Sequence, residues 1–277
     1  MSLVALIESA KDLRMLMVGE TIEDVYHYVA PLGRPVKELI ISTEWKETEV
    51  FRGGIVAAAE HAKSICHVYT FSDCLVRKER WVEQAHTRKL FQVQKPVDRI
   101  DVEKPVGIYD VTAHIDYGHN NSDRRHKGFT ALNVQTNSSN YGFNLVRPED
   151  RADYLVVDEL EARLATGNKS GPINDSLLEL AGNAPKVVIT LGREGAIGWS
   201  EESGICSAPA LTTKVVDTMG AGDCFFSITA PLAKRGTIPQ LLAIGNAAAA
   251  MKTQTIGDRE PVTKEALLGF IKANYPS

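Results

Sequence analysis

Gly220, Ala221 and Gly222 stand directly before Asp223 in the stretch VVDTMGAGDCFF, where an apolar run gives way to a helical pattern. That order of residue types can do phosphoryl chemistry. The first turn of a helix offers unpaired N–H groups and a partial positive charge. Glycines let an anion approach those N–H groups without meeting a Cβ. A carboxylate at the mouth of such a site is expected to stay ionised through the helix dipole, and so to accept a proton from an attacking hydroxyl. The loop amides at 220–222 would hold charge on the transferring group. A plain alternative is that Asp223 only caps the helix. Two other phosphate loops are excluded. The Walker A loop needs a lysine that is absent here, and Phe225 stands where a dinucleotide fingerprint needs its third glycine.

The elements that must position this loop are legible as an alternation. Apolar runs at 14–19, 66–71, 109–115, 129–135, 154–157, 186–191 and 213–216 are expected to be buried strands. Helical patterns lie at 54–64, 159–166, 174–183 and 223–235, the third opening on an Asn-x-Ser cap signal and the last ending at Gly236. Two more helices follow, one with Pro239 in its first turn. The expectation is one α/β domain spanning 1–277, with a doubly wound, mostly parallel sheet flanked by helices. The segments 33–52 and 74–95 alternate polar and apolar residues without an intervening helix, and are expected to form a small antiparallel β lid.

Composition narrows the function. The chain has 277 residues, 44% of them hydrophobic, and a formal net charge of −4. This gives no general attraction to nucleic acid or to an anionic membrane. Its four cysteines form no C-x-x-C pair, which argues against a disulfide framework or zinc site and for a reducing cytoplasm. The opening residues are too briefly apolar for a signal peptide, and no run reaches the ~20 apolar residues of a membrane span.

The string DTMGAGDCFF resembles the signature of ribokinase-like carbohydrate kinases of the phosphofructokinase-B type. Further segments carry the resemblance along nearly the whole chain: MVGETIEDVYHY (17–28), RGGIVAAAEHA (52–62), VVDELEARLATG (156–167), VVITLGREGAIGW (187–199) and GNAAAAMKT (245–253). IDYGHN (115–120) and NVQTNSSNYGFN (133–144) are most similar to the heptose-phosphate kinase branch.

The resemblance implies an ATP-dependent phosphotransferase acting on a hydroxyl of a sugar or sugar phosphate, a heptose phosphate among the candidates. Asp223 would be the base, with Gly220, Ala221 and Gly222 as its anion hole. Glu161, with Asp158 beside it, would place Mg²⁺ through water. Thr190, Gly192 and Gly195 would line the nucleotide phosphates and ribose, and Asn246 the adenine. Asp24, Gly53 and Gly54 would hold sugar hydroxyls. The chain departs from the family at Asp158, where relatives carry Asn, and at Ala57, where many carry a sugar-binding Asn.

Other groupings admit two readings each. The basic residues Arg34, Lys37, Arg52, Arg77, Lys78 and Arg80 form either a solvated strand face or a clamp for an acceptor phosphate, with Lys37 assigned to the substrate side. His114, His119 and His126 fit no metal-ligand spacing. A nucleoside kinase is the alternative within the enzyme class. A non-catalytic nucleotide or sugar binder is the alternative outside it. The exposed edges of a β lid imply a homodimer formed through it.

Overall fold

The structure, a computed structural model, describes residues 1–33, 40–103, 105–119, 124, 128–211 and 214–275. In chain order the elements are α1 (Leu3–Glu8), β1 (Arg14–Gly19), β2 (Thr21–Pro31), β3 (Thr43–Gly54), α2 (Ile55–Lys63), β4 (His67–Phe71), β5 (Cys74–Glu83), β6 (Arg88–Gln94) and β7 (Asp98–Arg99). They continue with β8 (Val111–Asp116), β9 (Phe129–Val134), β10 (Tyr154–Asp158), α3 (Glu159–Thr166), α4 (Ile173–Leu180) and β11 (Lys186–Thr190). The chain then runs through β12 (Ala196–Ser200), β13 (Gly204–Ala208), α5 (Ala221–Thr229), α6 (Ile238–Lys252) and α7 (Lys264–Asn274).

Eight strands form the main sheet in the order β13-β12-β11-β10-β9-β8-β1-β4. All its pairs are parallel from β4 to β11, and β12 and β13 are added antiparallel. A parallel sheet must be covered on both faces, which is why its strands read as continuous apolar runs. All six residues of β8 are buried, as are the first four of β10. One face packs on α5 and α6 through Phe225, Phe226, Ile228, Leu241, Ile244 and Ala247. The other packs on α3 and α4 through Ala162, Leu177 and Leu180.

The second sheet runs β3-β2-β5-β6, with β7 added to β5. Its pairs are antiparallel except at the centre, where β2 and β5 run parallel with Asp24 opposite Lys78 and Tyr26 opposite Arg80. Its inner face buries Tyr26, Tyr28, Phe51 and Val82 against Met219, the residue before the glycine loop. The strand Thr21–Pro31 is thus part of this sheet. Residues 34–39, inside the segment expected to start it, lie outside the described residues.

Three local expectations change. Lys214 and Val215 belong to no strand, and Val215 and Val216 are 60% and 43% exposed; the final sheet positions are taken by β12 and β13. The helix α5 stops at Thr229, and turns carry the chain on to Gly236. The helix α4 starts after Pro172 with no side-chain cap. All four cysteines are free. No helix among the described residues is long and apolar enough to cross a membrane.

Candidate active site

The glycine loop is held by its far neighbours. The backbone N–H groups of Val216 and Asp217 both reach the Thr253 carbonyl at the end of α6, at 2.7 and 3.2 Å. The Asp217 carboxylate accepts from the N–H of Met219 and of Gly257, each at 3.1 Å. Burial favours the neutral acid, yet these two N–H groups and the nearby Lys89 outweigh it and hold the Asp217 pKa below the usual range. Lys252, its side chain fully buried, donates to the carbonyls of those same two residues, at 3.1 Å to Met219 and 2.6 Å to Gly257. Its ammonium also lies 3.4 Å from Asp258. One carboxylate and one ammonium therefore clamp the turn to the 252–258 segment.

From that clamp the chain enters α5 through Gly220, whose φ of +74° is the left-handed conformation that a Cβ would strain. A Cβ there would also sit 3.0 Å from Asp258 and 3.2 Å from the Lys252 stem. Ala221, Gly222 and Asp223 form the first turn. The N–H groups of Gly222 and Asp223 bond no acceptor among the described residues. A Cβ on Gly222 would point into open space. Asp223 makes no capping bond, since the cap position is Gly220. Its carboxylate instead accepts a hydrogen bond from the Gln135 amide.

Asp223 is not held as a fully charged carboxylate by the helix dipole alone. Burial pushes its pKa up to about 6, and the Asp258 charge adds to this. The Gln135 bond, the Tyr117 hydroxyl nearby and Lys252 oppose the rise. It is ionised above that pH and poised to exchange a proton near neutrality.

Two cavities meet at this turn. One, of about 390 Å³, is lined by Thr190, Gly192, Gly195, Ala221, Gly222 and Asn246 together with apolar Leu211, Val215 and Phe225. The other, of about 220 Å³, is lined by Asn133, Gln135, Thr136, Glu161, Gly220 and Asp223. Asp158, Thr190 and Gly222 border both. The structure thus gathers four expected nucleotide residues in one cavity and Asp223 with Glu161 in its neighbour. Gly195 is needed for a close approach: its φ is +98°, and a Cβ would lie 2.1 Å from the Ala208 carbonyl. Asn246 donates through Nδ2 to the carbonyls of Ala208 and Pro209, both at 3.0 Å, so only its carbonyl oxygen is left to face a ligand.

Asp158 and Glu161 form a capping box at the start of α3. Glu161 accepts N–H bonds from Thr136 at 2.9 Å and from Asp158 at 2.7 Å. Burial and the Asp158 charge still push its pKa up to about 8. Carboxylates crowded in this way suit a hard cation. No three His, Cys, Asp or Glu side chains among the described residues converge closely enough to hold a metal alone, so a magnesium ion fits here only with water and phosphate oxygens completing its shell.

The polar part of the second sheet also bears on Asp223, whose charge acts on Lys78 of β5. Asp24 is buried and ion-paired with Arg80. A Cβ on Gly53 would fall 3.2 Å from Asp24 and 3.3 Å from Asp258, so these groups line one corner. Gly54 has a φ of +61° and abuts the Glu20 carbonyl. Lys37 lies outside the described residues. Of the other basic residues, Lys78 and Arg80 face inward, whereas Arg77 is exposed and paired with Glu23 and Glu79. The IDYGHN segment is anchored by Asp116, which pairs with Arg124 at 2.7 Å and accepts the Gly118 N–H at 2.8 Å. Glu20 accepts the N–H of Tyr117 at 2.9 Å and of His119 at 3.0 Å. Sequence reasoning missed Lys252, Asp258, Gln135 and Tyr117. The apolar run around Lys252 was the one signal for it, since a lysine in a buried helix needs internal partners.

The chain matches the model of the pfkB family carbohydrate kinases over residues 125–265. It is 35% identical over 115 residues to a fructoselysine 6-kinase of Escherichia coli, a match covering 39% of this chain and 44% of that protein. Among solved structures, a ribokinase of Thermotoga maritima superposes with a TM-score of 0.71 at 17% identity, covering 94% of this chain and 99% of that one. An Arabidopsis thaliana ribokinase solved with ribose and ATP gives 0.68 at 14% identity, covering 94% and 99%. At these identities the two structures speak for the fold.

Proposed function

The chain belongs to the pfkB family of carbohydrate kinases, and we propose that it transfers the terminal phosphoryl group of ATP to a hydroxyl of a sugar or sugar derivative. The observation that carries this reading is the meeting of two cavities at Gly222, with two unbonded N–H groups and the Asp223 carboxylate on one helical turn. The larger cavity suits a nucleotide, with its apolar wall at the base end and Gly222 at the phosphate end. Asp223 takes the proton of the acceptor hydroxyl. The acceptor oxygen then bonds to the terminal phosphorus as the bond to the bridging oxygen breaks, and that electron pair leaves with ADP. The N–H groups of Gly222 and Asp223 hold the charge on the equatorial oxygens. Magnesium, held through Glu161 and Asp158, would supply countercharge for the nucleotide phosphates.

Asp24, Gly53 and Asp258 form the acceptor corner, and the second sheet acts as its lid. Within the sugars, a heptose phosphate is the finer proposal, carried by the anchored segment Asp116–His119. The partial match to a fructoselysine 6-kinase supports a second reading, a fructosyl conjugate phosphorylated at its 6-hydroxyl. A homodimer through the lid belongs to the same proposal, with exposed Trp45, Val50 and Phe91 as its apolar surface. The test is ATP-dependent transfer to a panel of pentoses, hexoses, heptoses, their phosphates, fructosyl amines and nucleosides, followed by phosphorus NMR. Transfer to a sugar-based acceptor is expected. Transfer to nucleosides alone, or to nothing in the panel, overturns the reading.

A further inference from the structure

Among the described residues, several cations stand on or beside the inner face of the second sheet, and most are committed. Arg80 pairs with Asp24. Lys252 pairs with Asp258 and two carbonyls. Lys89 lies 3.5 Å from Asp217. Lys78 is only 8% exposed, and its side chain forms no hydrogen bond or ion pair with any described residue. It sits on β5 directly opposite Asp24 of β2. Its ammonium feels the charges of Asp24, Arg80, Asp223 and Glu20, so it faces the corner that holds the base. The carboxylates around it are engaged elsewhere: Asp24 by Arg80, Asp223 by Gln135, and Glu20 by the N–H groups of Tyr117 and His119.

An ammonium held on a largely buried lysine without a protein partner is costly, and an anion entering the corner would supply the missing charge. Burial accordingly pulls the Lys78 pKa down. One buried polar atom that acts on Lys78 has no partner, His119 Nε2. Burial, with Lys78 adding to it, lowers the His119 pKa to about 4, so this imidazole is neutral near pH 7 and its Nε2 can donate one hydrogen bond. Lys78 and His119 Nε2 are thus two unmet polar groups on the acceptor side of Asp223.

We propose that the acceptor carries an oxyanion, a phosphate ester or a carboxylate, that Lys78 pairs with it, and that His119 Nε2 donates a second hydrogen bond to it. This rests on the kinase reading in one respect, that the corner beside Asp223 receives the acceptor. Lys78 is then a specificity-determining residue, and neutral sugars are poor ligands because they leave its charge unpaired.

The test uses matched pairs that differ only in the anion. Ribose is compared with ribose 5-phosphate, a heptose with its phosphate, and N-fructosylglycine with N-fructosylmethylamine. Binding without nucleotide is read by calorimetry, and kcat/KM is read with ATP. Wild-type protein is expected to prefer the anionic member by about 10- to 100-fold. Lys78→Met is expected to bring that ratio close to one, chiefly through KM, and Lys78→Arg to restore part of it. The phosphate and carboxylate pairs tell which oxyanion is read. Equal binding of both members by the wild type overturns the proposal. So does a Lys78→Met variant that weakens both members alike, because a structural lysine would act that way. Lys78-dependent anion binding without phosphoryl transfer would refute the kinase reading and leave this one standing. Transfer to neutral sugars with no anion preference would do the reverse.

Discussion

Replacing Lys252 with methionine tests the clamp beneath the glycine loop. The substitution keeps the length and apolar stem of the side chain and removes only the ammonium. That leaves Asp258, its side chain 10% exposed, without its ion pair, and frees the carbonyls of Met219 and Gly257. Breaking a buried pair on one side costs about 3–5 kcal/mol. At roughly 2–4 °C per kcal/mol for a domain of this order, the melting temperature should fall by about 6–20 °C. The loss should also depend on pH. Burial already raises the Asp258 pKa, with Asp24 and Asp217 adding to it and Lys252 opposing. Without Lys252 that pKa rises further. An acid whose folded-state pKa is raised binds its proton more tightly when folded, so folding gains stability as pH falls through that value. The deficit should therefore be largest near pH 8 and shrink toward pH 5. Calorimetric scans of both proteins across that range, with a turnover assay, make the comparison. The reasoning fails if Lys252→Met melts within about 2 °C of the wild type at pH 8, or if the deficit grows as pH falls.

Three further outcomes are expected. The pH profile of kcat/KM should rise about tenfold per unit up to about 6 and level off above it, since Asp223 acts only when ionised; a flat profile from pH 5 to 8 contradicts the base assignment. Gly195→Ala should destabilise the protein by about 2 kcal/mol or more and raise the KM for ATP, because the new methyl meets the Ala208 carbonyl at 2.1 Å; unchanged melting and KM would refute the need for close approach. Removing divalent ions with EDTA should stop transfer, and Glu161→Gln should raise the magnesium needed for half-maximal rate; transfer that persists without a divalent ion would contradict the ion's role.

The parallel core was legible because burial on both faces leaves strands such as RMLMVG and YLVVD with apolar runs at their centres. The same rule misled at 213–216, where TKVV is apolar yet Val215 and Val216 are largely exposed beside a cavity rather than paired in a sheet. The turns around Gly195 and Gly204 hid β12 and β13, which are joined by antiparallel pairing that periodicity does not reveal. Alternation in β5 separates inward Lys78 and Arg80 from outward Arg77 and Glu79, but says nothing of a parallel partner 54 residues earlier, Asp24 opposite Lys78. The glycine loop and Asp223 were local signals and were read as such. Lys252, 33 residues from the Met219 carbonyl it holds, was not, because its partners come together only when α6 closes on the loop.

The central claim is that Asp223 removes the acceptor proton beside the amides that hold the phosphoryl charge, and Asp223→Asn tests it most directly. Nucleotide affinity and single-turnover transfer are measured on the same preparation. The account predicts ATP binding within about threefold of wild type and transfer slowed by about 10²- to 10⁴-fold, the usual worth of a general base. Transfer within about tenfold of wild type, with ATP still bound, would contradict it.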